Sequence, residues 1–228
     1  MKKREFLTMA LAFASSAAIY TYTKNPFFSA SPEEDESLDS YTIEDFFLPI
    51  ENQVKPFKGQ IIEFFWHGCP HCKSFAPKLE AWEKENNFVV TKLPAASNPE
   101  WRADAKLVFA LSKLTNDYEH YHLKLFDLKE EIGYDLTDSS DLKDLVRRLN
   151  KEFPKYSLSY DEIQSEFDSK ALNFFVDKLA SDIKKTGING VPSIVVDGLY
   201  SNHPMLDHDE KLISIEYALK NIISSNRL

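Results

Sequence analysis

Cysteine is scarce in this chain: 228 residues hold two, Cys69 and Cys72, three positions apart. A small secreted scaffold stapled by disulfides carries four, six or eight, so that class is excluded. A pair this close can close no large loop and adds little structural constraint, which leaves its chemistry as the better reason for its presence. Basic residues are also in deficit, 27 against 36 acidic, for a formal net charge of -9. No basic stripe runs along the chain, and binding a phosphate backbone needs one, so nucleic acid is not an expected partner. Internal repeats and low-complexity tracts are absent as well. What the chain does have is 43% hydrophobic residues. That is enough for a real core, in one sizeable domain or a domain with a large insertion.

The N-terminus speaks to compartment. Lys2, Lys3 and Arg4 precede an uncharged stretch from Phe6 to Thr23, with small residues at Ser15, Ser16, Ala17 and Ala18. This reads as an export signal, with cleavage after Ala18 satisfying the small-x-small rule. The stretch is also just long enough to be retained as a membrane anchor, against the roughly 17–25 residues a span requires, and both readings stay open. Residues 24–45, with Pro26, Pro32 and the acidic cluster Glu33–Glu36, have no helical or strand period and read as a solvated linker.

Folded sequence is expected from about Phe46. Ile61–Trp66 is a short apolar run, read as a buried strand, and Gly68 permits a sharp turn after it. A helix follows from Pro70 to about Asn86, with a kink expected at Pro77. Phe88–Leu93 reads as a second strand. From Pro99 to Asp177 only helical signals occur, over Trp101–Leu114, Tyr118–Ile132, Asp138–Leu149 and Asp161–Lys185. A strand at Pro192–Val196, the hairpin signal Asp197-Gly198 and a final helix His208–Ser224 close the chain. The pattern predicts an α/β fold carrying an inserted, mostly helical block, with 46–98 and 177–228 as one domain and 99–176 as the insertion.

Cys69-Pro70-His71-Cys72 at the mouth of a helix after a strand has a physical logic. Proline suits the first helical position, where its missing N–H would have no partner anyway. The sulfur of Cys69 then meets free N–H groups and the positive end of the helix dipole, which favour thiolate over thiol. His71 adds a donor or partial positive charge. Thiols in such places titrate at about 3.5–7.5, the low end being set by the DsbA proteins. Cys72, one turn in, is more shielded, so Cys69 is the expected nucleophile and Cys72 the resolving thiol. A stable thiolate favours the reduced form and makes such a protein an oxidant. The competing reading is half of a zinc site, but no second Cys-x-x-Cys exists, and His120 with His122 or His203 with His208 are poorly spaced ligands on a helix. No metal and no cofactor are expected.

Two further positions stand out. Glu63 is a carboxylate inside Ile-Ile-x-Phe-Phe-Trp, where burial calls for a raised pKa or a cationic partner, Lys92 being the candidate. The alternative is an edge carboxylate that reaches solvent. Val191-Pro192, after Gly190 and opening a strand, suggests a constrained turn and a cis bond.

Glu63-Phe64-Phe65 leading to Cys69-Pro70-His71-Cys72 resembles the active-site segment of the DsbA family of periplasmic disulfide oxidases. Gly190-Val191-Pro192 through Gly198-x-Tyr200 resembles that family's cis-proline strand and hairpin. The likeness covers about residues 41–225 and implies a thioredoxin-like fold with an inserted helical domain. It implies that Cys69 attacks, Cys72 resolves and His71 stabilises the thiolate, with Pro70 inside the motif. Pro192 would face the disulfide, the Val191 backbone would pair with an incoming peptide, and Glu63 and Lys92 would tune the site and relay protons. Reduced exported polypeptides are the implied substrates, a quinone-linked DsbB-type membrane oxidase the implied partner, and a periplasmic monomer the implied state. A reductase or isomerase of the same fold, or a metal-binding or chaperone module, are the alternatives. The sequence departs from the family at His67-Gly68, where its best-known members carry apolar residues; His67 reads either as an addition to the electropositive site or, the favoured reading, as a solvated loop histidine.

Overall fold

A computed structural model describes residues 38–115 and 118–224. The chain divides into two units, 1–45 and 46–228. In the first, the described residues include Asp45, whose carboxylate accepts the Thr42 backbone N–H at 2.6 Å. The signal or anchor stretch lies outside the described residues.

The second unit is built on a five-stranded mixed sheet. Its strands are β1 (Phe47–Pro49), β2 (Ile61–Phe65), β3 (Thr91–Pro94), β4 (Ser193–Val196) and β5 (Tyr200–Asn202), in spatial order β1-β5-β4-β2-β3. Only the β2–β3 pair is parallel, and it frames the helix α1 (Pro70–Asn86). Strand β2 lies between β4 and β3 and is buried along its whole length, which is why it reads as a continuous apolar run without alternation. Its side chains still alternate in direction. Ile62 and Phe64 pack with Val195, Ala105 and Phe109, whereas Phe65 packs with Cys69, Cys72, Ala76, Val108 and Phe126. Glu63, two residues from Phe65, therefore shares the face that carries the cysteines.

Between β3 and β4 the chain is helical: α2 (Pro99–Thr115), α3 (Glu119–Ile132), α4 (Ser139–Glu152), α5 (Tyr160–Asp168) and α6 (Lys170–Lys185). Leu107, Leu111, Leu125, Leu145, Leu149 and Ile163 form the centre of their shared core. Each such side chain contributes about 1.5–3 kcal/mol on leaving water. The stretch 161–185 is two helices instead of one, because Ser169 is extended and its hydroxyl accepts the Leu172 N–H, starting a new helix. Val176, Leu179 and Ile183 of α6 pack on the sheet.

Helix α1 runs unbroken through Pro77 and ends at Asn87 in the left-handed region. Strand β3 begins at Thr91, three residues later than the apolar run suggested, and the edge strand β1 is too short to show a period. Asp197 and Gly198 both have positive φ, and Leu199 N–H donates to Val196 O at 3.0 Å, so the hairpin turns at the expected pair, with three residues between the paired Val196 and Tyr200. A Cβ on Gly198 would strike the Val54 carbonyl. Helix α7 (His208–Ala218) carries a capping box between Asp207 and Glu210 and passes into a wider turn at Leu219–Ile223.

Candidate active site

Strand β2 delivers the chain to the loop 66–69 and α1. At Gly68 the Trp66 indole fills the space a Cβ would take, so the loop needs glycine there. Cys69 N–H donates to Trp66 O at 3.0 Å, and the residue then caps α1 in an extended conformation, with Pro70 opening the helix. Its sulfur accepts the Cys72 backbone N–H at 3.3 Å. Cys72 is fully buried and Cys69 is 9% exposed, both as free thiols.

The two sulfurs have opposite electrostatics. The Cys69 thiol is lowered to about 6, first by the hydrogen bond it receives from the Cys72 thiol and against the cost of burial. The backbone N–H groups of Cys72 and His71 follow, and the His71 charge comes last. Burial, the hydrogen bond with Cys69 and the Cys69 charge push the Cys72 thiol far up. One proton is therefore held inside, and one sulfur is left as the nucleophile. The exposed imidazole of His71 lies 6.4 Å from that of His208, whose pKa is lowered by burial and by Lys211, Lys78 and His71. The Val191–Pro192 peptide is cis, and the Val191 carbonyl oxygen lies 3.3 Å from Cys69 Sγ. The structure thus brings together Cys69, Pro70, His71, Cys72, Val191 and Pro192.

Glu63 is fully buried in β2, an interior strand between β4 and β3, which rules out an edge carboxylate reaching water. Neither of its oxygens has a hydrogen-bond partner among the described residues. Burial pushes it up to about 8, against the attraction of Lys92 and with Glu83, Glu119 and Cys69 adding repulsion. Lys92 sits beside it in the parallel register, but the Lys92 ammonium bonds Glu83 at 2.7 Å instead. Burial works against that ammonium, and Glu119, Glu83 and Glu63 outweigh it, so its pKa is raised. The spacing of Glu83 on α1 gave no sign of this pairing.

His67 is no solvated loop residue. It is 3% exposed, and its Nδ1 and backbone N–H both meet Asp104 Oδ2, at 3.1 and 3.3 Å. Its Nε2 lies 3.0 Å from the Tyr118 hydroxyl, which lies 2.9 Å from His122 Nδ1. The Tyr118–His122 spacing of four on one helix is the signal in the sequence that pairs them; Asp104, on another helix, left none. His122, weighed with His120 as a metal ligand, is fully buried while His120 is exposed.

Two cysteines at a helix mouth, facing a cis-proline strand of the same mixed sheet, define the class of thioredoxin-fold dithiol proteins. A family model described as Thioredoxin matches residues 58–213. The chain belongs to the thioredoxin family, and within it resembles the DsbA proteins. It is 32% identical over 149 residues to a thiol:disulfide interchange protein DsbA of Pseudomonas syringae pv. tomato, covering 64% of this chain and 65% of that protein. With the DsbA of Burkholderia cepacia it shares 30% over 149 residues, 64% of this chain and 66% of the relative. The aligned region thus spans slightly less than two thirds of both relatives. Among solved structures, Pseudomonas aeruginosa DsbA matches with a TM-score of 0.68 at 20% identity, over 83% of this chain and 98% of that one. That likeness shows the fold, a thioredoxin domain interrupted by helices.

Proposed function

We propose that this protein is a thiol–disulfide oxidoreductase that donates the Cys69–Cys72 disulfide to reduced exported polypeptides. A substrate thiolate attacks Cys69 Sγ, the Cys69–Cys72 bond breaks, and Cys72 leaves and takes a proton. A second substrate thiolate then attacks the substrate sulfur of the mixed disulfide. The substrate disulfide forms, Cys69 leaves as thiolate, and two electrons have passed to the protein. The observation that carries this reading is the asymmetry of the pair: Cys69 Sγ at the helix mouth accepts the Cys72 N–H at 3.3 Å while Cys72 is fully buried, which lowers the Cys69 thiol and pushes the Cys72 thiol up. It makes Cys69 the better leaving group at the second step and holds the proton on the resolving thiol.

Glu63, buried on the cysteine face and raised to about 8, supplies the proton that Cys72 takes up, and Lys92 holds Glu63's charge in check from the neighbouring strand. Val191 offers its backbone to the substrate peptide, with Pro192 against the disulfide. His71 stabilises the thiolate from the helix mouth. The compartment is the periplasm, where a quinone-linked, DsbB-type membrane oxidase recharges the dithiol, and the protein acts as a monomer. Residues 46–98 and 177–228 carry the chemistry, and the insertion 99–176 frames it. No helix among the described residues is long and apolar enough to cross a membrane.

Equilibration with glutathione tests the direction of exchange. An equilibrium constant for oxidising glutathione well above that of a structural disulfide supports an oxidase, and a strongly reducing pair replaces that reading with a reductase. Cys72→Ser is expected to accumulate mixed disulfides with reduced substrates and Cys69→Ser none, as read on non-reducing gels. Trapping through Cys72 would reverse the assigned roles.

A further inference from the structure

The proposed exchange leaves one buried polar cluster without a use. Asp104 of α2, His67 of the active-site loop, Tyr118 at the N-cap of α3 and His122 within α3 form a continuous hydrogen-bonded chain, with links of 3.1, 3.0 and 2.9 Å. The interior penalises every polar group it holds, so three buried ones, His67, Asp104 and His122, joined through a half-buried Tyr118, call for a reason. The chain starts two residues before Cys69, a span of at most about 7 Å. Tyr118 packs on the cluster that contains both cysteines, and Phe65 of that cluster stacks edge-on against His67 and His122.

The chemistry of the links allows two arrangements that differ by one proton. In the first, His67 is neutral. Its Nδ1–H donates to Asp104, the Tyr118 hydroxyl donates to His67 Nε2, and His122 Nδ1–H donates to the Tyr118 oxygen. In the second, His67 is an imidazolium that donates through both nitrogens, to Asp104 and to the Tyr118 oxygen. The Tyr118 hydroxyl has then turned to donate to His122 Nδ1, and the His122 proton sits on Nε2. A proton reaching His122 Nε2 converts the first into the second by reversing each bond, and the charge comes to rest opposite Asp104. His122 Nε2 has no hydrogen-bond partner among the described residues, so neither arrangement breaks a bond there.

Other groups face the chain from each packed element. Burial, then His67, then Lys92 of β3 oppose charge on His122, and its pKa is held well below its ordinary value. Burial and the charges of Asp104, Glu119 and Glu63 hold the Tyr118 phenol well above its own. Both therefore remain neutral carriers, and Asp104 is the counter-charge that selects His67 as the resting place. Tyr134 also faces the chain, its phenol held well above the ordinary value by burial and by Asp104, and Glu63 lies beside it with neither oxygen hydrogen-bonded among the described residues.

Resting on the exchange reading, we propose that His67 is a positioning residue whose buried chain to Asp104, Tyr118 and His122 takes up one proton when the Cys69–Cys72 disulfide is reduced. Reduction leaves a thiolate on Cys69, and a cation two residues away stabilises it. By reciprocity the thiolate draws the proton onto His67. The proton comes from solvent and returns to it when the disulfide re-forms, so atoms and charge balance over the cycle.

The test is the equilibrium constant against glutathione, measured from pH 5 to 8 on the full chain, together with the imidazole 15N shifts of His67 in the oxidised and reduced proteins. The wild type is expected to show an imidazolium pattern at His67 when reduced and a neutral one when oxidised over part of that range. Two unit charges about 10 Å apart at an effective dielectric of 20 correspond to about a tenfold effect. His67→Phe is accordingly expected to make the protein about tenfold less oxidising and to flatten the pH dependence. Tyr118→Phe keeps the ring and removes the hydroxyl that accepts the imidazolium Nε2–H and links it to His122, while leaving the Asp104 contact, so it moves the constant the same way by less. Identical 15N shifts in both redox states, or equal pH dependence in wild type and both variants, overturn the inference and leave the chain a structural tie. A dithiol that exchanges with glutathione in none of the three proteins overturns the exchange reading instead, and the 15N shifts of His67 report separately on the proton.

Discussion

At the residue scale the behaviour of Cys69 is decided by its partners more than by its place at a helix mouth. The largest lowering comes from the Cys72 thiol, and the His71 charge ranks last. Thiolate absorbance followed against pH is expected to show a midpoint near 6; a midpoint near 8.5, that of a free thiol, contradicts it. His71→Ser is expected to raise the midpoint by no more than about one unit. Cys72→Ala removes the leading contribution and should raise it further. The reverse order would return the weight to the histidine. The sequence motif showed which residue ionises, but the ranking of causes depends on the S–H of Cys72 pointing at Cys69, which spacing does not reveal.

Glu63 makes a second test at this scale. Its pKa rises from 4.5 to about 8 on folding, so between those values the folded protein keeps a proton that the unfolded chain releases. Its contribution to stability is fully present below about pH 4.5 and is lost as pH rises towards 8. In the oxidised protein, where neither cysteine titrates, Glu63→Gln should flatten the decline in melting temperature between pH 5 and 8. The gain at the upper end is at most about 3–5 kcal/mol, at about 1.4 kcal/mol per pK unit. An unchanged pH profile would show that Glu63 is not a buried titrating group. The sequence showed a carboxylate in an apolar run. That it lies in an interior strand, with Lys92 turned to Glu83, follows from strand order and from the approach of α1.

At the scale of elements, local signals carried far. Strand β2, helix α1 with its proline at the first position, and the Asp197-Gly198 hairpin all lie where their residue patterns place them. The elements that differ are those whose limits are set by partners. Strand β3 starts where β2 offers it a ladder, β1 exists because β5 pairs with it, and Ser169 splits an apolar period that reads as one helix. Gly198→Ala tests the hairpin. Positive φ costs an L-residue about 1–2 kcal/mol, and the Val54 carbonyl blocks the added Cβ, so a loss of about 2 kcal/mol or more in urea unfolding is expected. A neutral result would mean that the turn changes type.

At the scale of the whole molecule, redox state and stability are linked. If the Cys69 thiolate gains favourable interactions only in the folded state, reduction stabilises that state, the reverse of a structural disulfide. Thermal melts at pH 7 with and without reductant should give the higher Tm for the reduced protein, and a higher Tm when oxidised contradicts the idea. The sequence by itself determined the chemistry: two thiols one helical turn apart, a proline and a histidine between them, a second proline returning beside them, and an order of elements that permits one interrupted α/β fold. These were legible because each depends on neighbours within a few positions. Only the tertiary structure decided what lies behind the dithiol. His67, Asp104, Tyr118 and His122 come from a loop and two helices spread over 55 positions, and no local rule relates them. Burying a histidine is unfavourable until a carboxylate and a hydroxyl are delivered to its two nitrogens, and that delivery is made by helix packing.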